Sequence, residues 1–244
     1  MRSGSRFGSV RTHPASNVAT VEANVVADGN ATGIFVRNDY NVVIRDNVVS
    51  NVTGKTLNEY GECVTIVSAI PVPVVNNTLR DCRIGVWIKR GGGHDLARNT
   101  VTNATVANVT WGLYLDETFG AVWADVHDNN TFSGWTYGVW IDAAVVDVPN
   151  FNLFWNDVRS NGEGVHVTGD PPGADFFHAE CNWWNPALGP HDLSPGVPDQ
   201  NDNPPGQPVS DWFWYRDPPP PPARTRGWLN GASSSLGTTC TGGL

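Results

Sequence analysis

Short segments of alternating apolar and polar residues recur along the chain, and two motifs account for most of them. The first motif is an apolar residue, two variable residues, an asparagine, one further residue and a second apolar residue, as in IRDNVV or LARNTV. Because alternation is the period of a β-strand, each copy predicts a short strand beside an asparagine turn. Seven copies occur 22 to 31 residues apart, with these asparagines: Asn24, Asn47, Asn77, Asn99, Asn130, Asn156 and Asn182.

The second motif, Gly-apolar-any-apolar, alternates with the first along the chain. It begins at Gly33, Gly85, Gly112, Gly138 and Gly164, and Cys63 takes the glycine position once. No stretch of eleven residues shows the helical period, so we expect an all-β protein. The apolar positions of the motif predict an inward set: Ile34 and Val36, Val64 and Ile66, Val86 and Ile88, Leu113 and Leu115, Val139 and Ile141, Val165 and Val167.

Each repeat is too short to bury its own apolar face, but equivalent strands stacked as parallel neighbours would enclose a continuous core. This logic predicts a parallel β-helix, a solenoid of about seven coils, with the recurring asparagine stacked at one corner. A sandwich built from the same strands fits less well, because sandwiches seldom keep one residue at one corner seven times.

Residues 17–216 resemble the right-handed parallel β-helix repeat proteins, a group of carbohydrate-binding proteins, sugar hydrolases and lyases, and NosD-like periplasmic proteins. Besides the repeats, residues 178–190, HAECNWWNPALGP, are similar to the Asn-Trp-Trp-Gly…Gly-Pro closure of many surface β-helices, with Asn185 in place of that glycine. The resemblance implies a right-handed β-helix and leaves the function open. One methionine and scattered histidines do not resemble a copper-delivery site.

Composition changes along the chain and suggests four segments. We expect a disordered leader or truncated start at 1–16, the β-helix at 17–192, an irregular cap at 193–217 and a proline-rich, disordered tail at 218–244. The predicted shield of the C-terminal edge is aromatic: Trp183, Trp184, Trp212 and Trp214. The N-terminal edge has no comparable cap, which suggests an upstream β-helix or a partner chain there.

Charge and composition exclude some classes of function. A formal net charge of −9 repels phosphate backbones, so nucleic acid is not an expected partner. No apolar run is long enough for a membrane span, and no signal peptide is seen. An excess of glycosylation sequons favours an extracellular or cell-surface protein, with these acceptor candidates: Asn30, Asn51, Asn76, Asn103, Asn108 and Asn129.

Four cysteines are compatible with disulfides in an oxidising compartment. Cys63 and Cys82 fall in adjacent coils, where they either bridge across a corner or both fill the core. Cys181 and Cys240, if bonded, would tie the tail to the closure.

The middle residue of the second motif is expected to point outward, which predicts one column on an external face: Phe35, Thr65, Trp87, Tyr114, Trp140 and His166. Flat rings spaced along a rod suit stacking on sugar rings. We therefore take Trp87, Tyr114, Trp140 and His166, with Lys89 beside them, as ligand-binding candidates. The alternative is that the aromatic residues only stabilise the sheet.

Two residues further along each strand, Asp116 and Asp142 in successive coils would lie roughly 5 Å apart. Such a pair could bind Ca²⁺ or act as acid and base on a glycosidic bond, or Lys89 and solvent could simply screen it. The catalytic motifs of β-helix hydrolases and lyases are not recognisable. We therefore favour a non-catalytic carbohydrate-binding or structural module that contacts a polysaccharide or glycan surface and has no cofactor or resident metal. A polysaccharide lyase or glycoside hydrolase using Asp116 and Asp142 is the alternative, and a purely structural fragment of a larger surface protein is the second.

Overall fold

The computed structural model describes residues 18–37, 41–54, 61–106, 109–116, 121–142 and 150–168, together with six short strands beyond them. Within these residues every strand pairing is parallel, as predicted. No helix in the described part is long and apolar enough to cross a membrane. The strands are β1 (Ala19–Glu22), β2 (Val25–Ala27), β3 (Thr32–Arg37), β4 (Val42–Arg45), β5 (Val48–Ser50), β6 (Glu62–Val67), β7 (Pro73–Val75), β8 (Thr78–Arg80), β9 (Ile84–Ala97), β10 (Thr100–Thr102), β11 (Trp111–Leu115), β12 (Val122–His127), β13 (Thr131–Ser133), β14 (Tyr137–Asp142), β15 (Asn152–Leu153), β16 (Glu163–Thr168), β17 (Phe177–His178), β18 (Asn182–Trp183), β19 (Pro190–Asp192), β20 (Gln207–Val209), β21 (Phe213–Trp214) and β22 (Trp228–Leu229).

The strands form three faces of a right-handed β-helix, which we name sheets A, B and C. Sheet A contains β1, β4, β7, the second half of β9, β12, β15, β17 and β21. Sheet B contains β2, β5, β8, β10 and β13. Sheet C contains β3, β6, the first half of β9, β11, β14, β16, β20 and β19.

Five successive coils have a strand in all three sheets, which is fewer than the predicted seven. In the sixth coil Asp157 makes only an isolated bridge to Thr131 and to Trp183. The seven asparagines therefore mark seven levels of the asparagine corner, but they overestimate the number of complete coils.

The asparagine corner follows the prediction. From Asn47 onward, each asparagine Oδ1 accepts hydrogen bonds from the backbone N–H and the side-chain amide of the asparagine one coil earlier, as Asn99 does from Asn77 at 2.9 and 3.0 Å. The preceding residue has a positive φ, for example 57° at Asn76 and 55° at Arg98, which turns the chain from sheet A into sheet B. Six of the seven asparagines are at most 2% exposed, and Asn24 at the open end is the exception. This chain of bonds, the asparagine ladder, satisfies buried polar groups at every level.

The predicted inward set fills the interior, since all twelve side chains are at most 7% exposed. Their sheet C register is continuous, with Val64 beside Ile34 and Val86 at one end and Val165 beside Val139 at the other. Phe132, Trp135 and Phe151 complete the core between the sheets.

Of the two alternatives for Cys63 and Cys82, the structure shows the disulfide, with the two Cα atoms 5.7 Å apart. It joins β6 to the turn before β9 in the next coil and closes a chain segment with a sequence separation of 19. A loop of this length predicts a stabilisation of about 3 kcal/mol. Cys181 and Cys240 lie outside the described residues.

The C-terminal strands continue the solenoid. β20 pairs with β16, and β21 pairs with β17, inside the segment expected to be an irregular cap. β22 pairs with β18 within the segment expected to be a disordered tail. The two residues of β22, Trp228 and Leu229, are the described residues of that segment. Of the predicted aromatic shield, Trp183 and Trp214 lie in strands, and Trp184 and Trp212 lie outside the described residues.

Candidate functional site

The outward column predicted on sheet C is present in the structure. Phe35 pairs with Thr65, Thr65 with Trp87, Trp87 with Tyr114, Tyr114 with Trp140, and Trp140 with His166. Each pair joins neighbouring coils, so four of the ligand-binding candidates form one continuous line.

A second outward column lies beside the first and was missed from the sequence. It contains the residue before each motif glycine, including Trp111, Tyr137 and Glu163. The repeat was read from the glycine onward, although the dipeptides Trp111-Gly112 and Tyr137-Gly138 carried the signal. We call the two columns together the aromatic face, defined by Trp87, Trp111, Tyr114, Tyr137, Trp140 and His166.

The rings of the aromatic face contact one another within a strand and also from coil to coil. Trp111 stacks on Tyr114 with ring centroids 5.5 Å apart, and Trp140 stacks on His166 at 4.1 Å. The two stacked pairs meet edge to face, with 6.1 Å between the centroids of Tyr114 and Trp140. Tyr137 meets Trp140 edge to face at 4.6 Å. Such contacts fix the ring orientations. They are also expected if the aromatic residues only stabilise the sheet.

Exposure varies along the face. Trp87 is only 4% exposed and Thr65 only 1%, although both lie in the outward column. Trp111, Tyr114, Tyr137, Trp140 and His166 are half-buried. Phe35, at the open end, is 53% exposed and lies outside the aromatic face. The accessible aromatic surface therefore belongs to β11, β14 and β16.

Lys89 occupies a bulge in β9, where the register with β6 shifts. Its Nζ lies 3.2 Å from the centroid of the Trp87 ring, a close cation–π contact. Burial lowers the pKa of Lys89, and the nearby carboxylates of Glu62 and Asp116 oppose that shift. The immediate neighbour of the ammonium is the Trp87 ring.

Asp116 and Asp142 directly follow Leu115 and Ile141, which are register partners in β11 and β14. The register of β11 and β14 thus brings the chain to Asp116 and Asp142 in successive coils, each two residues after Tyr114 or Trp140. Both residues are half-buried.

At the other end of the face Glu163 holds His166. The Nδ1 atom of His166 lies 2.9 and 3.0 Å from the two Glu163 carboxylate oxygens, and 25% of the histidine side chain is exposed. The carboxylate orients the imidazole against Trp140, so His166 belongs to the face as a positioned polar group.

The glycosylation candidates separate by burial. Asn30, Asn51, Asn76 and Asn129 are exposed, whereas Asn103 is only 7% exposed. The Oδ1 atom of Asn103 accepts bonds from the backbone N–H groups of Thr105 and Val106 at 3.3 and 3.1 Å. Asn103 is therefore less accessible than the other described acceptor candidates. Asn108 lies outside the described residues.

Among the residues that the structure describes, no three histidine, cysteine, aspartate or glutamate side chains are grouped so that they could hold a metal ion. The two described cysteines are joined to each other. Asp116 and Asp142 therefore remain a pair without a third such ligand in this part of the chain.

A family model described as "Periplasmic copper-binding protein (NosD)" matches residues 3–177, which includes the first six coils. No curated protein and no solved structure matches the chain.

Proposed function

Because the chain belongs to the NosD family of periplasmic copper-binding proteins, we propose that it works outside the cytoplasm as a β-helix module that binds carbohydrate without cleaving it. The observation that carries the proposal is the aromatic face, where five half-buried rings are in contact across β11, β14 and β16. Sugar rings present apolar faces and polar edges, which suits rings set beside Glu163, Asp116 and Asp142.

The family description suggests copper, but the described residues do not support it. They contain no group of three suitable ligands, and the single methionine of the sequence, Met1, is not among them. His94 and His166 each use a ring nitrogen in a hydrogen bond within the β-helix. We therefore assign no copper ligand among the residues that the structure describes.

Glycan-array binding followed by titration of intrinsic tryptophan fluorescence tests the proposal. The double substitution Tyr114→Ala/Trp140→Ala should weaken binding at least about tenfold, because each stacking contact contributes a factor of a few. Phe35→Ala is the matched control, since Phe35 occupies the same column but lies outside the aromatic face. Circular dichroism verifies that both variants are folded.

The same samples separate the alternatives. Release of reducing sugars or unsaturated products that disappears in Asp116→Asn/Asp142→Asn would favour a hydrolase or lyase. Silence across the whole array would favour a purely structural module and would overturn carbohydrate binding.

A further inference from the structure

The aromatic face already holds one ammonium group, and that contact indicates which ligand charge the face suits. Lys89 Nζ lies over the Trp87 ring at 3.2 Å, with Glu62 and Asp116 as the carboxylates that act on it. A second cation of the chain, the guanidinium of Arg83, lies 5.7 Å from the Trp111 ring centroid. The face thus accommodates cations over two of its rings.

The same combination of ring and carboxylate recurs in the next two coils. Tyr114 is followed two residues later by Asp116, and Trp140 is followed two residues later by Asp142. Since residues i and i+2 of a strand share a face, each carboxylate flanks the ring of its own coil. Where the third coil carries Lys89 at this position, the fourth and fifth coils carry aspartates, so the half-buried rings of Tyr114 and Trp140 lie beside negative charge.

Aromatic faces attract cations through their quadrupole, and a flanking carboxylate adds to that attraction. A uronic-acid glycan would place its own carboxylates against Asp116 and Asp142, which is unfavourable. The formal net charge of −9 acts over the whole molecule in the same direction.

We propose that the ligand of the aromatic face is a glycan that carries protonated primary amines, such as a glucosamine oligosaccharide. Its sugar rings lie on the aromatic residues, and its ammonium groups lie over Tyr114 and Trp140 beside Asp116 and Asp142. The third to sixth coils span about 14 Å along the axis, which accommodates a short oligosaccharide. The inference rests on the proposed function and names the ligand class of that site.

The decisive comparison is between two ligands that differ only in charge and the acetyl group, and a third ligand carries the opposite charge. Isothermal titration calorimetry is performed with the glucosamine hexasaccharide, with its fully N-acetylated counterpart and with a galacturonic acid hexasaccharide. We expect the first to bind about tenfold more tightly than the second at low salt, and the third not to bind. Raising the salt concentration should reduce the preference, because it screens the carboxylates.

Substitutions localise the effect. Asp116→Asn/Asp142→Asn should abolish the preference for the amine form while the N-acetylated ligand binds as before. The matched control is Asp95→Asn/Asp125→Asn, which removes the same charge from register partners on sheet A and should leave the preference unchanged. Equal losses in both variants would mean that only the net charge matters, and the site assignment would be wrong.

The substitution Lys89→Gln should strengthen binding, and loss of folding could not produce that result. Lys89→Gln removes a competing cation from the Trp87 ring and from the neighbourhood of Glu62 and Asp116, so the glucosamine ligand should bind several-fold more tightly. Weaker binding of the glucosamine ligand in this variant would mean that Lys89 contributes to binding and does not compete with the ligand, and it would overturn the inference. Equal binding of amine and N-acetyl ligands by the unsubstituted protein would overturn it as well, with carbohydrate binding intact. No binding of any glycan would reject the proposed function itself.

Discussion

At the scale of single residues, two kinds of buried polar side chain hold the coils together: the asparagines of the ladder and His94. The asparagine ladder uses both the oxygen and the amide of each side chain, as Asn99 shows with bonds to Asn77, Asn130 and the Val74 carbonyl. His94 joins two coils at another turn. Removing either kind of side chain would leave a buried polar group without its hydrogen-bond partner. The loss in free energy of unfolding should therefore exceed the net contribution of one hydrogen bond.

Replacing Asn99 by alanine should lower the free energy of unfolding by about 3 kcal/mol, because several buried donors and acceptors lose their partner. Asn24→Ala is the control: it removes the same side chain at the exposed end of the ladder, and it should cost less than about 1 kcal/mol. Urea unfolding measures both. Equal costs would show that the ladder bonds are not the source of the stability.

His94 should make the stability depend on pH. Its Nδ1 accepts a bond from the Val72 N–H at 3.1 Å, and its Nε2–H donates to the Arg90 carbonyl at 2.9 Å, so the buried ring is neutral. Burial lowers the pKa of His94, whereas in the unfolded chain its pKa returns to about 6.5. Below that pH the unfolded chain takes up a proton that the folded protein excludes. Stability from this group is therefore complete above about pH 6.5 and declines as the pH falls towards the folded pKa.

Thermal unfolding between pH 8 and pH 5 measures this effect. In His94→Gln the part of the decline due to this group should be absent. An unchanged slope in His94→Gln would remove His94 as its cause.

At the scale of strands, glycine sets how closely neighbouring coils approach in sheet C. A Cβ added at Gly112 would lie 2.5 Å from the Gly138 carbonyl oxygen, and one at Gly138 would lie 2.6 Å from that of Gly164. The glycine of the second motif is therefore required by the backbone of the next coil. It also leads directly into the inward residue of each strand, which fixes the register of the aromatic face.

Gly112→Ala should destabilise the protein by about 2 kcal/mol or more, because backbone atoms of β14 must move to admit the methyl group. Gly29→Ala is the matched control. There the new methyl group would meet only Val52 methyl groups at 3.3 Å, so the cost should stay below about 1 kcal/mol. Chemical unfolding of the two variants compares them directly, and a smaller effect at Gly112 would contradict this account of the motif.

At the scale of the whole molecule, each coil pairs with the coil before it and the coil after it. Stability in such a solenoid is close to a sum of coil terms and nearest-neighbour terms. The contacts of the aromatic face are also between nearest neighbours, since its rings lie on consecutive strands of one sheet. Coupling between distant coils should therefore be weak.

Double substitutions along the asparagine ladder test this. Asn47→Ala and Asn156→Ala are four levels apart, about 19 Å, and their costs should add to within about 0.5 kcal/mol. Asn99→Ala and Asn130→Ala remove side chains that bond each other, and their costs should depart from additivity by about 1 kcal/mol. A large coupling in the distant pair would indicate global cooperativity in place of nearest-neighbour stacking.

The sequence by itself determined the fold, the inward set, the asparagine corner and the outward column from Phe35 to His166. It could do so because a parallel solenoid repeats one local rule, and the side-chain period of two converts each repeat into known inward and outward positions. The parallel pairing of equivalent strands then follows from stacking the repeats.

Only the tertiary structure decided what depends on contacts across coils. It selected the Cys63–Cys82 disulfide over two core thiols, added Trp111 and Tyr137 to the aromatic face, and buried Trp87 beneath Lys89. The bulge at Lys89 breaks the repeat, so no periodic rule places its ammonium over a ring. Ring contacts, bulges and disulfides depend on the distances and directions between coils, which the repeat alone does not specify.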